Sequence, residues 1–378
     1  MTVVVKLGSS LVVDGSGRVR RSQLASYAAE VAALVGARER VCIVSSGAIA
    51  LGLPRLGLTR RPHATPRLQA ASAVGQARLQ AAWAAALRAQ GLEAGQILLS
   101  APDLAERASY VNARNALETL LKLGVVPVVN ENDATATDEI TFGDNDALAA
   151  QVAVLTRARL LVLLTEVDGV YTEHPASPTA QLLADGEAAD DVVIGAASEL
   201  GRGGMASKVA AARLAAAAGV PTAIASGRGR HVLAPIVAGE HRGTRFVAEK
   251  RRGASAFKLW LRYAKPSAGR LVVDGGAHSA LVEDGRSLLA VGIVACDGEF
   301  GPGDAVELVA PDGTAFGKGL VGVGAAELRG RPRGVEVVHR DRLVLYETRA
   351  GSGSGEPVTA PSEADPTSAA YFASTPEA

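Results

Sequence analysis

Cysteine is nearly missing from this chain, with only Cys42 and Cys296 among 378 residues. A disulfide framework is therefore not expected, and a reducing compartment fits. Net charge is missing too, since 39 Lys and Arg stand against 39 Asp and Glu. Nothing draws the whole molecule toward nucleic acid or an anionic membrane, so either partner would need a local patch. No convincing patch exists, and neither partner is expected. No apolar run approaches the length of a spanning helix, and the opening MTVVVKLGSS turns polar too soon for a secretory signal. The expected location is the cytoplasm. What the chain has is 48% hydrophobic residues, enough for two or three domains with substantial cores.

The stretch that organises the rest is Gly124 to Asp146, GVVPVVNENDATATDEITFGDND. Val125 to Val129 is valine-rich and reads as a strand buried on both faces, as in a parallel sheet. Asn130, Glu131, Asn132 and Asp133 then stand at a strand's C-terminal end, where ligands of open α/β sheets bind. Gly143-Asp144-Asn145-Asp146 precedes an alanine-rich helix from Ala147, which Asp144 or Asn145 can cap. Either cluster alone is equally well a turn or a cap, since turns favour Asn, Asp and Gly. Two of them flanking one strand-to-helix connection weaken that alternative.

Strands and helices alternate on both sides of this stretch. Val3 to Val5 reads as a strand running into Lys6-Leu7-Gly8-Ser9-Ser10, where Gly8 lets backbone approach an anion and Lys6 adds a point charge. Taken alone, that pentapeptide is more economically a surface lysine with a buried stem. Leu24 to Val35 is an amphipathic helix, and strand Val41 to Val44 ends in a second small-residue corner, Ser45-Ser46-Gly47-Ala48. Helix Leu68 to Gln90, strand Ile97 to Leu99 and helix Val111 to Leu123 lead to the organising strand. Helix Ala147 to Thr156 and strand Leu160 to Leu164 follow it, the strand ending in Thr165-Glu166. Gly201-Arg202-Gly203-Gly204-Met205-Ala206-Ser207-Lys208 leads into helix Val209 to Ala218, whose start is a natural anion site. A P-loop would need glycine where Ser207 stands, and a dinucleotide fingerprint would need a strand directly before Gly201. Neither motif applies. After strand Pro221 to Ala225 the α/β pattern ends by Val247.

The alternation predicts an open, mostly parallel sheet with helices on both faces. Residues 249–265 read as a linker or connecting helix containing the exposed basic triplet Lys250-Arg251-Arg252. From Arg270 short β-type runs, Leu271 to Val273, Leu288 to Val294, Ala305 to Val309 and Gly319 to Val323, predict a small β-rich module. The expected division is 1–248, 249–265, 266–349 and a tail, 350–378, without apolar period or expected order.

KLGSS, SSGAIALG, the NENDA and FGDND clusters, LLTEVDGVY and GRGGMASK, in that order, resemble the glutamate 5-kinases of the amino-acid kinase family. VDGGAHSALVEDGRSLLAVGI and FGPGDAVEL are similar to the PUA domain that many of its members append, which is a small barrel. The resemblance covers the chain to about Gly330. It implies ATP-dependent phosphorylation of the γ-carboxylate of L-glutamate, the first step of proline synthesis, with Mg2+ accompanying ATP. It also implies inhibition by L-proline and a homo-oligomer. Position by position it assigns ATP to Lys6, Gly8, Thr165, Glu166 and the segment Arg202, Gly203, Gly204, Met205, Ala206, Ser207 and Lys208. Glutamate falls to Ser46, Asp133 and Asn145, and Asp146 matches the acidic residue that holds two catalytic lysines, here Lys6 and Lys208. Two departures are visible. Glu166 stands where the family usually has aspartate, and Ala290 replaces a common proline.

The implied chemistry explains an absence. A glutamate side chain of pKa about 4.3 is already ionised at neutral pH, so no general base is needed. None of the 6 histidines, His63, His174, His231, His241, His278 and His339, lies in a motif. Cations and positioning must instead overcome repulsion between two anions. Kinases of the same fold acting on aspartate, acetylglutamate, carbamate or a nucleotide remain alternatives, as does RNA binding through the PUA-like module. The acidic balance of that module, in which Arg270, Arg286, Lys318 and Arg329 face nine Asp and Glu between Pro266 and Gly330, argues against RNA.

Overall fold

Thr2–Leu7 (β1) is buried along all 6 of its residues, because it lies in the middle of a sheet covered on both faces. The computed structural model describes residues 1–100, 103–104, 106–135, 145–186, 188–189, 204–248, 256–263, 265, 267–330 and 334–346. After β1 come Ser9–Val12 (α1), Arg21–Gly36 (α2), Arg40–Ser45 (β2), Ala48–Gly52 (α3), Thr65–Arg88 (α4), Ala94–Leu99 (β3), Arg107–Lys122 (α5) and Val126–Glu131 (β4). Then follow Asn145–Leu155 (α6), Leu160–Thr165 (β5), Met205–Ala217 (α7), Thr222–Ser226 (β6), Leu233–Ala238 (α8) and Thr244–Phe246 (β7).

These strands form a 7-stranded sheet in the order β3-β4-β2-β1-β5-β6-β7. All neighbours are parallel except β7, which runs antiparallel to β6. Side chains alternate across each strand, and the core divides accordingly. Val3, Val5 and Leu7 pack with α2 and with Leu79, Trp83 and Leu87 of α4. Val4 packs on the opposite face with α6 and α7. The chain lays β2, β4 and β3 on one side of β1, then crosses through α6 to β5 on the other. The strand order therefore switches between β1 and β5, and ligands of open α/β sheets bind outside the C-terminal strand ends at such a point.

A connecting helix, Ala256–Tyr263 (α9), precedes the second sheet. This sheet comprises Ser267–Val273 (β8), Leu288–Leu289 (β9), Ile293–Gly298 (β10), Ala305–Val309 (β11), Ala315–Val321 (β12) and Glu336–Leu345 (β13), in the order β10-β8-β11-β12-β13-β9. Only β8 and β11 pair in parallel. The sheet curls as a half-barrel around Leu271, Val273, Leu308, Val321 and Val338. Gly275–Val282 (α10) and Ala325–Arg329 (α11) complete it. Met1–Tyr346 is one compact unit holding both sheets.

Several boundaries differ from the sequence reading. β4 continues through Asn130 and Glu131, so two residues expected beyond the strand belong to it. α7 begins at Met205, with Gly204 as its N-cap, so Lys208 sits inside the helix rather than before it. Asn145 is the first residue of α6 and not its cap. The expected strand Leu288 to Val294 is broken by a 3-10 turn at Ala290–Gly292. Asp144, the basic triplet 250–252 and the tail from 350 lie outside the described residues.

Candidate active site

Lys6 lies two residues beyond Val4 on β1 and so projects toward the face covered by α6 and α7. There its Nζ meets Asp146 Oδ1 at 2.6 Å. Lys208 Nζ approaches the other carboxylate oxygen, Oδ2, at 3.2 Å, and Ser207 Oγ donates to the same oxygen at 2.9 Å. All three charged groups are buried, Asp146 being only 3% exposed. Burial alone pushes the Asp146 carboxyl up, but Lys6, Lys208 and the hydrogen bonds from Lys6 and Ser207 outweigh it and hold it below its ordinary value. Asp146 is thus a fixed anion that clamps two cations, and it is not poised to take a proton.

Each partner is placed by a different kind of local structure. β1 fixes Lys6 through its registry with β2 and β5, where Lys6 lies opposite Val44 and Leu163. Asp146 sits in the first turn of α6, where a carboxylate also complements the helix dipole. Lys208 occupies the first turn of α7, an uphill place for a cation that the Asp146 carboxylate offsets.

The neighbouring residue, Asn145, turns the other way. Its Oδ1 accepts the Glu131 backbone N–H at 3.3 Å, tying α6 to the end of β4. Two residues past β4 lies Asp133, 5% exposed. Among the described residues, its hydrogen bond comes from Ser72 Oγ of α4 at 2.6 Å. Burial pushes its carboxyl above the ordinary value, and Ser72 and the more distant Arg61 only restrain that rise. Asn130 Nδ2 donates to Gln76 Oε1 at 2.8 Å, and Trp83 Nε1 donates to Ser45 Oγ at 2.9 Å. α4 reaches these strand ends because it packs on α3 backbone to backbone. A Cβ on Gly75 would lie 1.8 Å from Ala48 O, so only glycine allows that approach. Ser46, also buried, donates its backbone N–H to Leu7 O at 3.1 Å, and Gly47 takes the left-handed φ of 118° that opens α3.

On the far side of β1, Thr165 ends β5 opposite Ser226 of β6. Glu166 is exposed and pairs with Arg228 Nη2 at 3.3 Å, while Tyr27 Oη donates to Gly227 O at 2.6 Å and pins the end of β6. Gly8 caps α1 without a side-chain bond, and Gly204 does the same for α7. Both leave backbone N–H groups of a first helical turn unused by a side-chain cap.

Of the residues that the sequence reading singled out, Lys6, Asp146, Ser207 and Lys208 lie in one cluster, with Asn145 linking them to β4. Ser46 and Asp133 lie at the ends of β2 and β4, and Thr165 and Glu166 at that of β5. Gly204, Met205 and Ala206 form the turn that leads to Ser207. Arg202 and Gly203 lie outside the described residues. It missed Ser72, Gln76, Trp83 and Arg228. The first two were detectable as polar residues in helical phase with the buried Leu68, Leu79 and Trp83.

Residues 1–226 match the model of the amino acid kinase family, and residues 269–341 match that of the PUA domain. A glutamate 5-kinase of Sphingopyxis alaskensis is 46% identical over 364 residues, covering 91% of this chain and 97% of its own length. Another, of Thioalkalivibrio sulfidiphilus, is 45% identical and covers 90% of this chain and 96% of its own. A third, of Acinetobacter baylyi, is 42% identical, with 91% and 96% covered.

Proposed function

The chain belongs to the amino acid kinase family, among its glutamate 5-kinases, and we propose that it transfers the γ-phosphoryl group of ATP to the γ-carboxylate of L-glutamate. The product is glutamyl 5-phosphate, for proline synthesis. The observation that carries this reading is the pair of lysines held on the buried Asp146. A carboxylate attacking a phosphoryl group needs no base, but it must approach a second anion. A cation about 4 Å from that charge contributes on the order of 4 kcal/mol at an effective dielectric of about 20, before desolvation is deducted. Lys6 and Lys208 supply two such cations, and Asp146 fixes their direction so that little reorganisation accompanies the reaction.

Glutamate would lie toward β2 and β4. Asp133 is a buried carboxylate whose hydrogen-bond partner is a neutral hydroxyl, so an ammonium group arriving with the substrate would complete an otherwise costly charge. Ser46 and Asn145 would take up the rest of the amino acid. ATP would lie toward β5 and α7, its phosphates against Lys6, Gly8 and the first turn of α7 from Gly204 to Lys208, with Thr165 and Glu166 farther out. Magnesium belongs to the nucleotide substrate in this reading. Among the described residues no three metal-ligating side chains gather, and such an ion is ordinarily held largely by phosphates and water.

Trapping the acyl phosphate with hydroxylamine tests the proposal. Wild-type protein with ATP and magnesium gives hydroxamate from L-glutamate and far less from aspartate, acetylglutamate or carbamate, and L-proline suppresses it. Lys208→Ala loses kcat much more than affinity for glutamate. Equal hydroxamate from another carboxylate, or a Lys208→Ala enzyme with unchanged kcat, refutes the assignment.

A further inference from the structure

We infer that Ser72 is a positioning residue for the substrate's ammonium group, its hydroxyl holding the Asp133 carboxylate in place and ready to receive a cation. The inference rests on the reading of Asp133 given above. Ser72 is 4% exposed and Asp133 5%, so the 2.6 Å bond between them is shielded from water. Ser72 lies in the middle of α4, where its hydroxyl projects from a helix otherwise rich in alanine. The hydroxyl could have folded back onto the helix's own carbonyls, as serines in helices commonly do; it reaches across to the end of β4 instead.

Its consequence follows from what else surrounds Asp133. Among the described residues, Arg61 from the loop before α4 is the charged group whose field lowers the Asp133 carboxyl. Glu131, two positions back on β4, is the acidic neighbour in the chain, and Asn130 and Asn145 are neutral. Asp133 is thus charged only against the cost of burial, and among the described residues Ser72 is the donor that fixes its carboxylate. With the hydroxyl gone, the carboxyl would hold its proton to higher pH and would lose its fixed orientation. A protonated Asp133 gives an ammonium no counter-charge.

Three variants of the full chain test this. In Ser72→Ala the acid limb of kcat/KM for glutamate moves up by about one pH unit, while kcat at saturating glutamate and KM for ATP stay within about twofold of wild type. Ser72→Thr, which keeps the hydroxyl, restores the limb. In parallel, 13C titration of the aspartate carboxyls, with the Asp133 signal identified by its loss in Asp133→Asn, shows the same upward movement in Ser72→Ala without substrate. An unmoved Asp133 titration, or a KM for ATP that rises together with that for glutamate, overturns the inference. If the titration moves but wild-type enzyme makes no glutamyl hydroxamate, the link between Ser72 and Asp133 stands and the substrate assignment falls.

Discussion

Asp133 and Asp146 are both carboxylates buried to within 5% exposure, and they have opposite relations to stability. Asp146, held below the ordinary value of 3.8, carries two ammonium partners. The unfolded chain binds that proton more readily, so the stability from this cluster is present above about pH 4 and is lost as pH falls through the lower folded value. Asp133 is raised above 3.8. The folded chain then binds the proton more readily, and stability declines as pH climbs from 3.8 through the folded value. Asp146→Asn should destabilise the fold by about 3 kcal/mol at neutral pH, because two buried lysines lose their counter-charge. Asp133→Asn should raise the melting temperature at pH 7 while abolishing glutamate affinity, and the gain should shrink near pH 4 as the wild-type carboxyl protonates. Thermal melts at the two pH values check both signs. The grouping of Lys6, Asp146 and Lys208 came only through the resemblance of the ordered motifs, since the pentapeptide around Lys6 alone reads as a surface lysine. Ser72 was legible only as a polar residue in phase with the buried face of α4; that its hydroxyl meets a carboxylate at the end of β4 needed the fold.

α3 and α4 are joined by reciprocal glycine contacts. A Cβ on Gly52 would meet Ala71 O at 1.8 Å, and one on Gly75 would meet Ala48 O at 1.8 Å. Glycine inside a helix costs about 1 kcal/mol relative to alanine, and here that cost allows the helices to touch. Gly75→Ala, favourable in an isolated helix, should therefore destabilise this protein by about 2–4 kcal/mol. It should also raise KM for glutamate more than KM for ATP, because α3 follows Ser46 and α4 carries Ser72. Calorimetry and two-substrate kinetics decide this, and a stabilised variant with normal kinetics contradicts it. The inner strands of the parallel sheet were readable as continuous apolar runs, since burial on both faces leaves no alternation. β13 escaped because His339 to Arg342, in its middle, are exposed and polar. α7 was started too late because a glycine-rich segment reads as loop although its last glycine only caps the helix.

α9 connects the two sheets and touches the face of the first that carries the lysine cluster. Trp260 and Tyr263 pack against the core that includes α6 and α7, while Leu261 is fully buried with Ala305 and Val344 of the second sheet. From β12, Lys318 Nζ donates to Lys265 O at 3.0 Å and to Arg262 O at 3.4 Å. A cation at the last turn of α9 also suits the helix dipole. Burial nevertheless lowers the Lys318 ammonium from its usual range, and the nearby Glu307 carboxylate only restrains that fall. Lys318→Met keeps the stem and removes those donors. Two carbonyls then lose a part-buried partner, at a cost of about 1 kcal/mol. The second sheet should loosen from α9, lowering the melting temperature and altering Trp260 fluorescence. Since α9 abuts the helices that carry Asp146 and Lys208, kcat should fall a few-fold with KM for glutamate unchanged, in keeping with couplings of roughly 0.5–2 kcal/mol through packed elements. A destabilised Lys318→Met enzyme with wild-type kcat would instead confine α9 and the second sheet to an architectural part, without influence on the lysine cluster.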